Sequence, residues 1–246
     1  MAQAILAQVR TTIYKASLKH EMRRTASTIV AGLCYLLVIA GGIFAEVVVR
    51  EALVVQGDAA ATARAIFENE LLWRLGLAVH LLYLIPAMVV NVLVSELFWQ
   101  MRPTLARLAL MFGVACVTIE AVACVFLYVP LALIQNGMTL AALEEASNLI
   151  YLATQLYVTG FCISLLLFSG FCILTGWLIV FSCIVPRWIG ALMILAGICY
   201  IVNTVTFIVS PIVHKRINPA VLLPILVAEL SLASCLLFRG IRIKQQ

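Results

Sequence analysis

The sequence predicts an all-α fold: a polytopic membrane helix bundle with six transmembrane helices and both termini cytoplasmic. Three observations predict it. Of 246 residues, 65% are hydrophobic and 11% charged, with mean hydropathy +1.14, whereas a soluble domain is about half apolar and about a quarter charged. Six apolar runs each supply the roughly 20 residues that span a hydrocarbon core. Lysine and arginine then alternate in density from loop to loop, which sets the orientation.

The elements follow in chain order. Residues 1–27 form a basic cytoplasmic lead with Arg10, Lys15, Lys19, Arg23 and Arg24. Leu6, Val9 and Ile13 recur at near-helical spacing, so this lead is either a surface amphipathic helix or a frayed tail. No cleavable signal peptide is expected, because the first apolar run starts late and is too long for a signal h-region. A single membrane domain covers 28–241. Span 1 is about 28–50, with Glu46 and Arg50 at its far end. Gly57-Asp58 follows, and Asp58 is a good N-cap for a short outer interfacial helix near 59–67. Span 2 is about 71–98 and ends at Trp99, an interface-type residue. Pro103 and Thr104 restart the chain for span 3, about 104–134.

Asn136-Gly137 signals a turn in the 135–147 loop. Span 4, about 148–184, is long for a bilayer and should tilt, kink near Gly160 or Gly170, or project outward. Its GFCI at 160–163 recurs at 170–173, which marks two glycines as close packing points. Span 5 is about 188–210 and is closed by Pro211. Asn218-Pro219 is expected to open span 6, which ends near Arg239-Gly240 before a short cytoplasmic tail, 242–246. With the N-terminus inside, eleven Lys/Arg lie on the inner side and Arg50, Arg64, Arg74, Lys215 and Arg216 on the outer.

Several classes are excluded. The net charge of +5 is no nucleic-acid signal, because the basic residues cluster beside membrane ends. Eight cysteines lie in apolar runs without a CxxC pair and read as packing residues. With His80 the only histidine inside a span, neither a di-haem arrangement nor a histidine-built metal site is supported. No metal or cofactor is expected, although a mixed site of one His and two or three Glu is geometrically conceivable.

The candidate chemistry is a set of polar residues inside the spans. Glu120 and Glu229 fall near the midplane, where a charge costs a few kcal/mol on insertion scales. Counting along the helices places His80 and Asn203 roughly 6–8 Å, and Glu46 roughly 10 Å, toward the outer side. Arg74 lies near the outer interface. Together Glu46, Arg74, His80, Glu120, Asn203 and Glu229 are expected to converge on a polar cavity in the outer half of the bundle. A bland reading stands beside this one. Glu46 could simply pair with Arg50 one turn on, and the buried acids could be hydrogen-bonding glue between helices. Glu96 lies near the inner end within reach of Arg102 and reads as structural.

The run AGLCYLL at 31–37, the stretch ending at Glu46, GDAAATA from Gly57, LWRLG at 72–76, PRWIGALMILAGICYIV from Pro186 and Ala228-Glu229 together resemble an uncharacterised bacterial membrane family, domain of unknown function 4386. The resemblance covers about residues 22–241. It implies a multi-helix protein of the bacterial cytoplasmic (inner) membrane and supplies no activity. By motif position it supports Glu46, Asp58, Arg74 and Glu229. Glu120 matches no family motif.

Four functional readings remain open. The first is a protein that binds or moves a small amphiphilic or lipid-like molecule, with membrane lipids as its other partners and no nucleic acid. The second is an intramembrane enzyme using paired carboxylates and His80 as general acid and base. The third is a proton-coupled transporter, with spans 1–3 and 4–6 as an inverted repeat. The fourth is a purely structural membrane component.

Overall fold

A computed structural model describes residues 25–137, 139–182 and 184–239. The lead 1–24 and the tail from 240 lie outside the described residues, and with them the expectation of an amphipathic N-terminal helix. The described chain is helical: α1 (Thr25–Leu53), α2 (Ala59–Glu68), α3 (Glu70–Phe98), α4 (Pro103–Leu127), α5 (Val129–Gln135), α6 (Leu140–Glu145), α7 (Ser147–Ser182), α8 (Arg187–Val209) and α9 (Pro211–Arg239). Six stretches are long and apolar enough to cross a membrane: α1, α3, α4 continued by α5, α7, α8, and Ala220–Phe238 within α9.

The ends have identifiable causes. Asp58 is extended and its carboxylate accepts from the Ala61 amide at 2.8 Å, satisfying one of the orphan donors at the start of α2. Pro103 and Pro130 sit in the first turns of α4 and α5, where a missing N–H costs nothing. Gly57 and Gly137 carry the positive φ values of their turns, 84° and 77°. Two boundaries differ from the sequence reading. The 135–147 segment contains the short helix α6. The last helix begins at Pro211 rather than Pro219, because Ser210 (φ −149°) breaks the chain and Pro211 already occupies a helix-opening position.

Short links fold successive spans back antiparallel, so the bundle has two ends. The α2 end carries α2, α6 and the start of α7. The opposite end carries the 99–102 and 183–186 links. α7 is the central post: α4 packs along one side of it and α8 along another, and α9 packs on α8. At about 1.5 Å per residue its 36 residues reach about 54 Å, and its first turns support α2, where the Tyr151 hydroxyl accepts from the Gly57 amide at 2.9 Å.

Glycines permit the close approaches. A Cβ on Gly160 would lie 2.8 Å from the Ala123 Cβ, and one on Gly170 would lie 2.7 Å from the Phe112 ring. Gly176 and Gly190 bring α7 and α8 together, each within 2.6–2.7 Å of the other's carbonyl if extended by a Cβ. The packing glycines anticipated in the sequence therefore serve contacts inside the bundle.

The apolar interior falls into two main clusters. One, at the α2 end, contains Ala63, Ile66, Trp73, Leu127 and Ile150. The larger one, toward the opposite end, contains Tyr35, Phe98, Phe171, Met193 and Leu232. Polar side chains cross between them.

Candidate functional site

Four helices contribute to that polar layer. Glu46 and Arg50 come from α1, His80 and Tyr83 from α3, Glu120 from α4 and Tyr157 from α7. The local backbone of α1 is unusual, because Phe44–Arg50 is a π-helical stretch. Such bulges interrupt the α-ladder and recur at functional sites. Here the bulge contains both Glu46 and Arg50, with the Arg50 Nε donating to Glu46 Oε2 at 2.6 Å. On α3, His80 and Tyr83 are three residues apart and so share a face.

These side chains make one continuous chain of contacts. The Tyr157 hydroxyl donates to the other Glu46 oxygen, Oε1, and lies 3.4 Å from His80 Nδ1. His80 Nε2 is 3.0 Å from Glu120 Oε1 and 2.8 Å from the Tyr83 oxygen. The Tyr83 hydroxyl donates to the same Glu120 oxygen. His80 is thus set between two carboxylates, one facing each ring nitrogen.

Burial is nearly complete at the inner members: Tyr157 is 0%, His80 1% and Glu120 6% exposed. The Glu46 and Arg50 side chains keep 14% and 15% of their surface. Depth follows the same gradient. Arg50 lies about 5 Å from the end of α1, and Glu46 about 10 Å. His80 and Tyr157 lie about 15 Å into α3 and α7, and Glu120 about 22 Å from the end of α5. The polar thread enters from the α2 end and stops near mid-bundle.

Among the described residues, no group of three His, Cys, Asp or Glu side chains is disposed to hold a metal ion. The geometry explains this for Glu46, His80 and Glu120. The two acids meet opposite edges of the imidazole, so their oxygens cannot converge on one ion.

Of the six residues singled out in the sequence, Glu46, His80 and Glu120 are brought together here. Arg74 is not; it pairs with Glu70 one turn away, Nε to Oε1 2.6 Å, on the partly exposed surface at the α2 end. Glu229 is on α9, outside the thread, and accepts from the Tyr200 hydroxyl of α8 at 2.7 Å. Asn203 is 5% exposed, and its side-chain oxygen has no hydrogen-bond partner. The single cavity expected from the sequence is therefore replaced by a packed thread and a separate Tyr200–Glu229 pair. α3 and α4 carry the thread, whereas Glu229 takes its hydrogen bond from Tyr200 on α8, the helix against which α9 packs.

Tyr83 and Tyr157 were missed by sequence reasoning. Tyrosine is enriched at membrane interfaces, so one deep inside a span is the signal that could have found them. Tyr83 carries the second signal of sitting on the histidine's own face.

The fold and the site together define a six-span helical membrane protein with a buried carboxylate–histidine–carboxylate array. The family model described as "Domain of unknown function (DUF4386)" matches residues 30–240, and the chain belongs to that family. No curated protein and no solved structure matches it.

Proposed function

We propose that this is a multi-pass protein of the bacterial cytoplasmic membrane, both termini inside, whose Glu46–His80–Glu120 array takes up and passes a proton as the protein moves a small amphiphilic molecule. The observation that carries this reading is the bridging position of His80. Its members are one another's partners, which suits sharing a proton better than capturing a head group.

The proton inventory supports it. Both tyrosine hydroxyl protons are directed at carboxylates. His80 Nε2 then has only acceptors to face, the oxygens of Tyr83 and Glu120, and is filled by its own N–H. On the opposite edge Nδ1 faces the Tyr157 oxygen at 3.4 Å, long for a hydrogen bond, and a second ring proton would draw that contact in. The array therefore accommodates one or two protons on the imidazole with small movements, the bistable element that a proton switch needs. Its graded burial runs inward from Arg50 and Glu46 to His80 and Glu120, the direction in which a proton would be taken up.

The amphiphile's polar end is assigned to the Tyr200–Glu229 pair, a hydroxyl–carboxylate pair between α8 and α9 that the proton array does not use. Proton handling is tested by infrared difference titration of the reconstituted protein between about pH 5 and 8, the range in which histidine side chains ordinarily change charge. Imidazole and carboxyl bands should titrate in the wild type and change in both Glu120→Gln and His80→Gln. A folded protein with no titrating band, or bands indifferent to both substitutions, removes the reading.

A further inference from the structure

At the end opposite α2, the start of α4 and the last turns of α7 enclose a cleft of about 220 Å³ that the polar thread does not reach. Its floor is apolar, with Phe98 1% and Leu178 3% exposed. Its outer wall is aromatic: Trp177 and Phe181 face each other with ring centroids 4.9 Å apart and are both open to the surroundings. Its rim is polar, formed by Arg102 and Ser182.

Arg102 is the residue that gives the cleft a chemical preference. It stands exposed in the link before α4. Glu96, expected within its reach, makes no ion pair with it, and among the described residues no ion pair involves Arg102. The rest of this rim is also basic and aromatic. Arg107 lies over the Trp99 ring at 5.0 Å, and Trp188 is exposed at the start of α8. Tryptophans at one level mark the head-group region of a bilayer. A basic rim above an apolar slot at that level complements an amphiphile with an anionic head, and basic pockets between spans are a recurring way to hold acidic lipids.

We propose that this cleft binds one anionic phospholipid, its phosphate on Arg102 and an acyl chain laid against the Trp177–Phe181 wall over the Phe98–Leu178 floor. This site is independent of the proton array and stands or falls separately. A tightly held lipid here would join α4 to α7 at the end of the bundle where the 99–102 and 183–186 links make the turns.

The test is native mass spectrometry of the full chain exchanged into phosphatidylglycerol or phosphatidylcholine of identical acyl chains. One phosphatidylglycerol should survive activation that strips phosphatidylcholine. Arg102→Gln should lower its retention about fivefold, the effect of one basic residue at a membrane surface. Trp177→Ala, at a half-exposed position, should lower retention of both lipids, and Arg74→Gln at the other end should change neither. Added inorganic phosphate should not displace the lipid, because the chain contacts are needed. Equal retention of the two lipids, or an Arg102→Gln protein that folds with the wild-type melting temperature and keeps wild-type phosphatidylglycerol, overturns the proposal. Displacement by inorganic phosphate would also overturn it, by reducing the site to an anion contact.

Discussion

Replacing Glu120 with alanine measures how strongly the polar thread ties α3 to α4. Two contacts cross between these helices at Glu120 Oε1, one from His80 Nε2 at 3.0 Å and one from the Tyr83 hydroxyl. Hydrogen bonds between membrane helices average about 0.6 kcal/mol and reach about 1.7, so losing both costs about 1–3 kcal/mol. His80 and Tyr83 keep each other at 2.8 Å, which holds the loss below the figure for two orphaned buried groups. For a chain of this size that corresponds to a drop of about 2–12 °C in melting temperature. The assay is thermal unfolding in mild detergent followed by tryptophan fluorescence. Glu120→Gln, which keeps an acceptor for Tyr83, should lose less than half as much. The decisive comparison adds Tyr157→Phe, at the other edge of His80. If the imidazole links the two acids, the double variant should depart from additivity by at least about 0.5 kcal/mol, the signature of a shared partner. Additive losses, or an alanine variant as stable as the wild type, would refute the continuous thread.

Three further outcomes follow from the packing. Gly76→Ala puts a Cβ 2.6 Å from Val49 Cγ1; Val49 is buried and stiff at χ1, so stability should fall by about 1–3 kcal/mol in the same thermal assay. Asp58→Ala removes the α2 cap and should cost about 1 kcal/mol, seen as faster limited proteolysis near 54–58 with the spans still protected. Arg74→Ala breaks only the half-exposed pair with Glu70, so its melting temperature should stay within about 2 °C of wild type; a large loss would place Arg74 in a network the structure does not give it.

Much of the fold was legible because each boundary had a local cause. Asp58, Pro103 and Gly137 act through their own backbone chemistry, so position in the chain is enough to read them. The start of α9 was misread for a related reason. Hydropathy reports where the apolar stretch lies, and that stretch does begin near Ala220, but it does not report how far the helix runs past it. Ser210-Pro211 carries the same opening signal as Asn218-Pro219, and the structure uses the earlier one. The π-helical stretch at Phe44–Arg50 left no trace in the residue pattern, since it is a matter of one hydrogen-bond register. Within the candidate site, the sequence marked His80 and Glu120 by depth alone and Glu46 by depth and motif position. It did not separate them from Glu229 and Asn203, because depth along a span says nothing about which neighbouring side chain a residue meets.

The composition of the thread bears on why it exists. Helices in a bilayer associate through close packing of small residues, and this bundle has such contacts at Gly160 against Ala123, Gly170 against Phe112 and Gly176 against Gly190. Those contacts hold α4, α7 and α8 together without any ionisable group. Burying Glu46, Glu120 and His80 adds a desolvation cost that well-packed apolar residues would avoid, and in soluble proteins replacing a buried ionic group with such residues is often neutral or stabilising. Adhesion alone is therefore a poor account of the array. A leucine at His80 with the two acids replaced by Gln should leave a folded, stable bundle if adhesion is dispensable, and the same protein should lose every titrating band assigned to the thread. A bundle that unfolds on that replacement while Glu120→Gln alone leaves titration intact would instead make the array a structural clamp.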